Sequence, residues 1–404
     1  MVNEVVVGLD IGTTKICAVV GHINDEASLE IIGVGASPAR GVRKGIITNI
    51  DQAVLSIKQA IEAAEAMSGS KIDSVIAGIS GSHIQAVNSH GVIAVRTKEI
   101  GKNDIDRVME NARAISVSPD RDIIHAISQE YIVDDQSGIK DPMGMSGVRL
   151  EVKAHIITGS VALVQNVIKS CNRAGLDVSD IILEPLASAK AVLTGDEIEL
   201  GVAMVDIGGG TTDLAVFYDD SIRYTKVLGL GGNQFTHDIA VGLRTPERQA
   251  ERIKMEYASI GDWASSDDTI EVPGISGRSS REISKSTLYE IVQPRAEELF
   301  YLIKNELSAN GFEAMMTGGV VLTGGGSMLD GMVIFAEEFF NIPARVGVPY
   351  SITGIKDMVD GPKYATAVGL VKYGLQGRDK IERKRPFGYN SIFSRMKRWF
   401  REMF

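Results

Sequence analysis

The sequence predicts an α/β protein made of two similar halves, and a repeated phrase is the main observation behind that prediction. The phrase is Asp-Ile-Gly-Thr-Thr at 10–14, and it returns as Asp-Ile-Gly-Gly-Gly-Thr-Thr-Asp at 206–213, about half of the 404-residue chain later. Each copy follows an apolar run and precedes a second strand-like run, which predicts a turn between two strands. Around both turns, stretches with helical spacing of apolar residues alternate with further short apolar runs. The sequence therefore predicts a duplicated α/β unit.

Residues 1–81 are predicted to form the first part of one half. Asp51 is predicted to cap a helix that continues with helical spacing to Gly69. Runs rich in β-branched residues predict four strands, at 5–9, 16–20, 29–34 and 74–79.

Residues 82–160 break this rhythm and are predicted to be a compact α+β insert. A small hairpin is expected at 83–95, and a helix at 103–116 because its apolar residues form one stripe. Strands are expected at 123–133 and at 150–156, where apolar and polar residues alternate.

The α/β pattern resumes after the insert and then repeats. Residues 161–197 complete the first half with a helix, a strand and a second helix. The second half is predicted to comprise 198–230 and 307–376, with a mainly helical subdomain at 231–306 between them. Within 307–376, a strand is expected at 319–323 and helices at 328–340 and 365–373. Residues 377–390 are predicted to be a flexible polar linker, and 391–404 a separate element.

Composition narrows the class of protein. The chain is 44% apolar and 23% charged, as in soluble globular proteins, and its net charge of −10 argues against nucleic acid as a partner. Cys17 and Cys171 are expected to be buried, reduced thiols. No secretory signal and no uncharged run long enough to span a membrane is visible.

The two Asp-Gly-Thr turns have the composition of phosphate-binding turns. Glycine lets the backbone approach a phosphate closely, and threonine hydroxyls add hydrogen-bond donors. Two such turns facing each other would grip one polyphosphate; the alternative is two glycine-containing hairpins with no ligand. Asp10 and Asp206 suit a hydrated Mg²⁺, and Lys15 is positioned in sequence to neutralise phosphate charge. The expected phosphate-binding residues are Gly12, Thr13, Thr14, Lys15, Gly208, Gly209, Gly210, Thr211 and Thr212.

A third glycine turn is expected to contact the adenosine of a nucleotide. Gly324, Gly325 and Gly326 lead from a strand into a predicted helix at Met328, and a helix N-terminus attracts phosphate. Tight packing of helix on strand is the alternative. Glu251 and Lys254, three residues apart on a predicted helix, are expected at the ribose, unless they are an ordinary solvated pair.

These motifs resemble those of the actin, heat-shock-70 and sugar-kinase ATPase superfamily over about residues 1–375. The resemblance implies an actin-like, ribonuclease H-like duplicated fold with two domains around an ATP-Mg²⁺ cleft. It also implies that Glu184, at the start of the motif Glu-Pro-Leu-Ala-Ser-Ala, orients an attacking water and acts with Asp206 and Asp10; capping of its own helix is the alternative role. The resemblance places Gly232 and Gln234 at the nucleotide as well.

Within the superfamily the chain resembles the FtsA family of bacterial cell-division actins. The insert at 82–160, its lead-in at 74–84 and the segment 231–240 carry this similarity. In the family's terms, 1–81 and 161–197 are subdomain 1A and 82–160 is 1C. Residues 198–230 and 307–376 are then 2A, and 231–306 is 2B. The resemblance implies a scaffold with at most slow ATPase activity. It implies self-assembly into filaments, binding of the FtsZ C-terminal tail by 2B, and recruitment of other division proteins at the division site.

The C-terminal segment 391–404 has the pattern of an interfacial membrane helix. From Arg378 onward nine Lys or Arg stand against three Asp or Glu. An aromatic face opposite a basic face suits a helix lying on an anionic bilayer, where each Lys or Arg adds about 1 kcal/mol. Docking on the protein's own core or in a partner groove is the alternative. The apolar face would comprise Ile392, Phe393, Met396, Trp399, Phe400, Met403 and Phe404, and the basic face Arg395, Lys397, Arg398 and Arg401.

Three other functions fit less well. A sugar or acetate kinase would need an acceptor site with a base in the cleft and gives no reason for the basic tail. A pilus-assembly actin homologue would share the insert and ATP site but would not need that tail. A heat-shock-70 chaperone would need a substrate domain after about residue 380. The sequence thus favours a scaffold on the cytoplasmic face of the cell membrane.

Overall fold

A computed structural model describes residues 5–261, 268–275 and 279–381 of the chain. The predicted membrane helix at 391–404 and residues 382–390 of the predicted linker lie outside these ranges. None of the helices in the described ranges is long and apolar enough to cross a membrane. The described residues form two main sheets with their covering helices, a separate four-stranded sheet and a mainly helical segment that follows residue 228.

The first half begins with a strand meander, one long helix and a parallel strand. The helix ends at Gly69, whose φ of 66° suits glycine. Its N-cap is Asn49, whose side chain accepts a hydrogen bond from the Gln52 amide, so the prediction of Asp51 as the cap was wrong by two residues. Asn and Asp cap equally well, and sequence alone could not decide between them. The elements are β1 (Val6–Ile11), β2 (Lys15–Ile23), β3 (Leu29–Pro38), β4 (Val42–Arg43), β5 (Ile46–Ile47), α1 (Ile50–Ser68) and β6 (Ser74–Ile79).

The insert is a four-stranded sheet with one helix on one face. The hairpin predicted at 83–95 is instead one continuous strand of ten residues. Gly91 is not a turn residue: a Cβ there would lie 2.4 Å from the Val108 carbonyl oxygen of the covering helix, so glycine permits close packing. The elements are β7 (Gln85–Ala94), α2 (Lys102–Arg113), β8 (Arg121–Val133), β9 (Gln136–Ile139) and β10 (Arg149–Ser160), in the sheet order β7-β10-β8-β9.

The second half repeats the strand topology of the first. The elements that complete the first half and open the second are α3 (Val161–Ala174), β11 (Asp177–Leu183), α4 (Glu184–Val192), α5 (Gly195–Leu200), β12 (Val202–Ile207), β13 (Thr212–Tyr218) and β14 (Ser221–Leu228). The helical subdomain then contributes α6 (Gly232–Gly242), α7 (Glu247–Tyr257), β15 (Thr269–Val272), β16 (Arg281–Ser284) and α8 (Lys285–Ala309). The chain closes with β17 (Val320–Thr323), α9 (Met332–Phe340), β18 (Ala344–Val346), β19 (Thr353–Gly354) and α10 (Ala365–Ile381).

The two main sheets show the duplication strand by strand. The first has the order β11-β6-β1-β2-β3-β19 and the second the order β14-β13-β12-β17-β18. In each, the strand that ends in the Asp-Gly turn pairs antiparallel with the next strand and parallel with a later one. Apolar side chains of α4 and α10 join one face of each sheet into a shared core. Helices α1 and α3 cover the other face of the first sheet, and α6 to α9 cover that of the second.

Two predicted boundaries near the C-terminus were wrong. The helix predicted at 328–340 begins only at Met332, because a 3₁₀ turn ends at Met328 and Gly331 adopts a left-handed φ of 77° just before α9. Helix α10 continues to Ile381, so residues 377–381 of the predicted linker are helical. One glycine at 377 costs about 1 kcal/mol, which does not stop a helix whose first turns are buried.

Candidate functional site

The two repeated aspartates occupy equivalent positions at the ends of β1 and β12. Each is the second-to-last residue of its strand, and each is buried. Asp10 lies opposite Cys17 on β2, whereas Asp206 lies opposite Asp213 on β13. Directly opposed residues of an antiparallel pair share a face of the sheet. The second half therefore brings two carboxylates together where the first half has a carboxylate and a thiol.

The two Gly-Thr turns lie against each other between the halves. A Cβ on Gly209 would lie 2.5 Å from Thr14 Cγ2, and one on Gly210 would lie 2.6 Å from Thr13 Oγ1. In the described part of the chain, the backbone N–H groups of these four residues have no hydrogen-bond partner. Two opposed turns with free N–H groups form a polar, donor-rich surface that suits an anion.

Hydroxyl groups from both connecting helices hold Asp206 in place. Ser188 on α4 donates to Asp206 Oδ2 at 2.6 Å, and Thr366 on α10 donates to the same oxygen at 3.3 Å. The two hydroxyl oxygens are 2.9 Å apart. Burial raises the pKa of Asp206, and these hydrogen bonds and the charge of Lys15 partly offset that rise. Helices α4 and α10 thus both orient one cleft carboxylate.

Ser80 and Asp213 form a hydrogen bond across the cleft. Ser80 directly follows β6 in the first half, and its hydroxyl donates to Asp213 Oδ1 at 2.6 Å. Burial and the neighbouring charge of Asp206 raise the pKa of Asp213 to about 8, although the Ser80 hydrogen bond acts in the opposite sense. Burial likewise raises the pKa of Asp10 to about 6, with Lys15 opposing the rise and Asp206 adding to it. The negative charge of one cleft carboxylate therefore disfavours ionisation of the others.

Glu184 faces the same cluster of carboxyl groups. Removal from water raises its pKa well above the usual range, and the charges of Asp10, Asp213 and Asp206 raise it further. Its side chain lies beside Gly78 of β6, where a Cβ would come within 3.1 Å of Glu184 Cγ. The alternative capping role is wrong, since Leu183 is the N-cap of α4 and no side chain caps that helix.

Lys15 reaches the segment before α10. Its ammonium donates to the Lys363 carbonyl oxygen at 2.6 Å and lies 4.3 Å from the centroid of the Tyr364 ring. Its charge lowers the pKa values of Asp10 and Asp206. The predicted phosphate-neutralising lysine thus lies at the edge of the carboxylate cluster.

The residues predicted for the ribose lie next to the second turn. Lys254 Nζ donates to the Gly232 carbonyl oxygen at 3.1 Å and pairs with Glu251 Oε2 at 2.7 Å. The Gly232 amide donates to the Gly208 carbonyl oxygen at 2.9 Å, which links α6 to the turn. Gln234 accepts from the Gly231 amide at 2.8 Å and so caps α6. Glu251 and Lys254 form an ion pair on one face of α7, adjacent to the candidate site.

The third glycine turn lies beside Asp206. A Cβ on Gly324, whose φ is +80°, would lie 2.2 Å from Asp206 Oδ1, and one on Gly326 would lie 2.3 Å from Ile207 Cγ2. The space beside Gly325 is open, and Met328 is largely exposed. Close packing of the 3₁₀ turn on β12 thus explains Gly324 and Gly326, whereas Gly325 and Met328 face free space.

The described residues include no group of three or more acidic, His or Cys side chains placed to hold a metal ion. Asp10 and Asp206 nevertheless interact electrostatically. Mg²⁺ commonly keeps most of its waters and takes only one or two carboxylates, so this arrangement fits a hydrated ion and not a protein cage.

Sequence reasoning missed several polar residues of the site. Asp213 closes the second phrase and could have been found from it, because it immediately precedes a predicted strand. Ser188 lies inside the quoted Glu-Pro-Leu-Ala-Ser-Ala motif. Ser80 and Thr366 carry no signal of their own, since serine and threonine are common and their partners are distant in sequence.

Comparison with known proteins gives matches along the whole chain. The family described as Cell division protein FtsA matches residues 203–369, and the SHS2 domain inserted in FTSA matches residues 81–158. The cell division protein FtsA of Pseudomonas aeruginosa is 46% identical over 98% of this chain and 97% of its own length. That of Escherichia coli strain K12 is 38% identical over 100% of this chain and 99% of its own length.

Solved structures with lower identity share the fold. The PilM-PilN type IV pilus biogenesis complex matches with a TM-score of 0.68 at 17% identity, covering 92% of this chain and 98% of that one. MreB5 of Spiroplasma citri bound to ADP matches with a TM-score of 0.58 at 15% identity, covering 94% and 98%. These likenesses establish the predicted actin-like fold. Together with the full-length similarity to curated relatives, they show that the chain belongs to the FtsA family of cell division proteins.

Proposed function

We propose that the cleft between the two halves binds ATP with Mg²⁺, and that the protein is an ATP-dependent scaffold of cell division. The observation that carries the nucleotide assignment is the contact between the two Gly-Thr turns with buried carboxylates behind them. Two solved structures with this fold, both of MreB5 of Spiroplasma citri, are bound to ADP and to AMPPNP.

The residues of the cleft fit a magnesium nucleotide by their chemistry. The free N–H groups of Thr13, Thr14, Gly209 and Gly210 would donate to phosphate oxygens. Asp10 and Asp206 would accept hydrogen bonds from the waters of a hydrated Mg²⁺ or ligate it directly, and a cation there would favour their ionised forms. When bound, the metal neutralises phosphate charge.

Glu184 would orient a water at the cleft. Its raised pKa favours a protonated carboxyl in the protein alone. A nearby cation would lower that pKa and produce the carboxylate that can accept a proton from water. This dependence fits slow hydrolysis and a mainly conformational role for the nucleotide.

We further propose that the C-terminal segment anchors the protein to the cytoplasmic face of the cell membrane at the division site. The support is the sequence pattern of 391–404, which places apolar and aromatic residues on one helical face and basic residues on the other. A helix of this length is marginal in water, so we expect it to order on the lipid surface.

The family resemblance supplies the proposed partners. The helical subdomain 231–306 would bind the FtsZ C-terminal tail, and the insert would contribute to self-assembly and to recruitment of other division proteins. FtsZ polymers would thereby be tethered to the bilayer. The match of residues 81–158 to the SHS2 domain inserted in FTSA supports the family assignment of the insert.

The experiment combines the full chain with Mg-ATP and anionic liposomes, with and without FtsZ polymers, followed by flotation and imaging by electron microscopy. Filaments on the liposomes and recruitment of FtsZ to them are expected.

The variant Trp399→Glu should lose flotation, whereas Ser394→Glu, which adds the same charge off the predicted apolar face, should retain most of it. Flotation of Trp399→Glu at the wild-type level would refute the anchor. An absence of both lipid-dependent filaments and FtsZ recruitment would refute the scaffold, and rapid ATP turnover with a small acceptor would favour a kinase.

A further inference from the structure

The insert is attached to the first half close to the candidate catalytic residue. The Leu183 amide donates a hydrogen bond to Nε2 of His125 on β8, with an N–N distance of 3.0 Å. Leu183 is the last residue of β11 and immediately precedes Glu184. The insert also continues covalently from β6 through Ser80, whose hydroxyl donates a hydrogen bond to Asp213. Movement of the insert relative to the first half would therefore disturb the cleft.

The insert also contacts the second half, through a buried histidine. His155 on β10 is 1% exposed. Its Nδ1 lies 2.6 Å from Asn88 Oδ1 on β7, and its Nε2 lies 3.0 Å from Thr225 Oγ1 on β14. Because an amide oxygen only accepts, Nδ1 carries the proton and Nε2 accepts from the threonine hydroxyl. The neutral imidazole is thus fully bonded, and burial lowers its pKa to about 4.

Further directional hydrogen bonds surround this histidine. Gln129 Nε2 donates to the Ile222 carbonyl oxygen at 2.7 Å, and Ser221 Oγ donates to the Gln129 carbonyl oxygen at 2.6 Å. Asn88 Nδ2 donates to the Arg223 carbonyl oxygen at 3.1 Å. The bonds of His155 to Thr225, of Gln129 to Ile222 and of Ser221 to Gln129 are buried, whereas Asn88 lies at the exposed edge of the contact. Buried hydrogen bonds of this kind fit one register and leave costly unpaired groups in any other. The contact between insert and β14 is therefore either formed or broken, and does not slide.

Strand β14 transmits this contact to the second Gly-Thr turn. Thr212, the residue that ends the turn, pairs with Leu228 at the end of β14. Its hydroxyl donates to the Leu230 carbonyl oxygen at 2.8 Å. A shift of β14 would therefore displace the turn that faces Thr14.

We propose that the insert is a brace that links the two halves, so that ligand binding in the cleft and the insert–β14 contact stabilise each other. This inference rests on the proposed binding of Mg-ATP between the two turns. The brace joins the first half at Leu183 and the second half at β14, on opposite sides of the cleft. Linkage is reciprocal. The factor by which the intact insert–β14 contact raises nucleotide affinity equals the factor by which bound nucleotide raises the equilibrium constant for forming that contact.

The test weakens the brace at one atom and measures nucleotide affinity. Thr225→Val removes the hydroxyl that donates to His155 and keeps the shape of the side chain. Titration calorimetry of the full chain with Mg-ATP should give a Kd about threefold to tenfold higher than that of the wild type. Thr225→Ser should restore the wild-type value. Thr97→Val, which removes an exposed hydroxyl of the insert bonded only locally to the Glu99 carbonyl oxygen, should leave Kd unchanged.

Hydrogen exchange supplies the reciprocal measurement. Mg-ATP should slow amide exchange in β7, β8 and β14 of the wild type, and this protection should be reduced in Thr225→Val. If Mg-ATP binds the wild type but leaves exchange in the insert unchanged, or if Thr225→Val binds with wild-type affinity, the brace is refuted. If calorimetry detects no binding of Mg-ATP to the wild type, the proposed nucleotide function fails, and with it the premise of the brace.

Discussion

Asp213 illustrates how a single position can control the electrostatics of the cleft. It is directly opposite Asp206 and is buried, and its counterpart in the first half is Cys17. A thiol remains neutral there, since burial raises the pKa of Cys17 to about 11. The duplication therefore produced an asymmetric site in which only the second half contributes a pair of facing carboxyl groups.

Replacement of Asp213 by Asn should stabilise the nucleotide-free protein at alkaline pH. The pKa of Asp213 is about 8 in the folded protein and 3.8 for an ordinary aspartate, so the folded state binds the proton more tightly. The contribution of Asp213 to the free energy of unfolding is fully present below about pH 4. It is lost progressively as the pH rises from there through 8. At pH 8 we expect Asp213→Asn to add stability on the order of 2 kcal/mol and to raise the melting temperature by several degrees, with a clearly smaller rise at pH 5, where less of the stability has been lost.

Thermal unfolding at the two pH values measures this effect. Asp220→Asn, on the exposed turn of the same hairpin, serves as a matched control and should change neither melting temperature. An equal effect of Asp213→Asn at pH 5 and pH 8 would show that the carboxyl group does not titrate in this range.

At the level of elements, the packing of α4 on α10 determines the position of Asp206. Ser188 on α4 and Thr366 on α10 share one oxygen of that carboxylate, which requires the helices to be very close. Gly369 permits this approach, because a Cβ there would lie 1.8 Å from the Ala187 carbonyl oxygen. A backbone atom cannot move aside as a side-chain end can.

Gly369→Ala should therefore separate α4 from α10 and weaken both stability and the cleft. Overpacking of this kind costs about 1–3 kcal/mol, and we expect a fall of several degrees in melting temperature together with weaker Mg-ATP binding. Gly195→Ala is the control, since a Cβ at the start of α5 meets no atom within 4 Å. Wild-type stability and affinity in Gly369→Ala would mean that the two helices can separate without consequence for Asp206.

The sequence predicted strands and turns well where a local pattern of residues determines the structure by itself. The repeated phrase located both turns, and the apolar runs on either side of each turn located β1, β2, β12 and β13. It failed at Gly91, which looks like a turn residue but makes room for α2 within a continuous strand. The role of such a glycine depends on the helix packed against it, and no local pattern records that contact.

At the level of the whole molecule, the cleft is an interface between distant parts of the chain. Four carboxyl groups reach it from strands or helices of both halves, and the hydroxyl groups of Ser80, Ser188 and Thr366 orient two of them. The sequence predicted Asp10 and Asp206, the leading aspartates of the repeated phrase, because they belong to a motif. It could not predict the hydroxyl partners, since their positions depend on how the two sheets are placed about α4 and α10.

The contact between the two turns offers a test of how closely the halves must approach. Gly209→Ala would place a methyl group 2.5 Å from Thr14 Cγ2 and 2.7 Å from Thr14 Oγ1, which forces either the threonine or the two halves apart. We expect Mg-ATP affinity to fall at least tenfold, equivalent to about 1.4 kcal/mol, because donors on the two turns would no longer face one ligand.

The double variant Gly209→Ala with Thr14→Ala separates crowding from other effects. Removal of the threonine hydroxyl and methyl groups leaves only its Cβ, 3.1 Å from the new methyl group, so part of the affinity lost in Gly209→Ala should return. Calorimetry of the wild type, both single variants and the double variant forms a complete double-mutant cycle. Additive losses would show that the turns act independently, whereas a favourable coupling would show that nucleotide binding depends on direct contact between the halves.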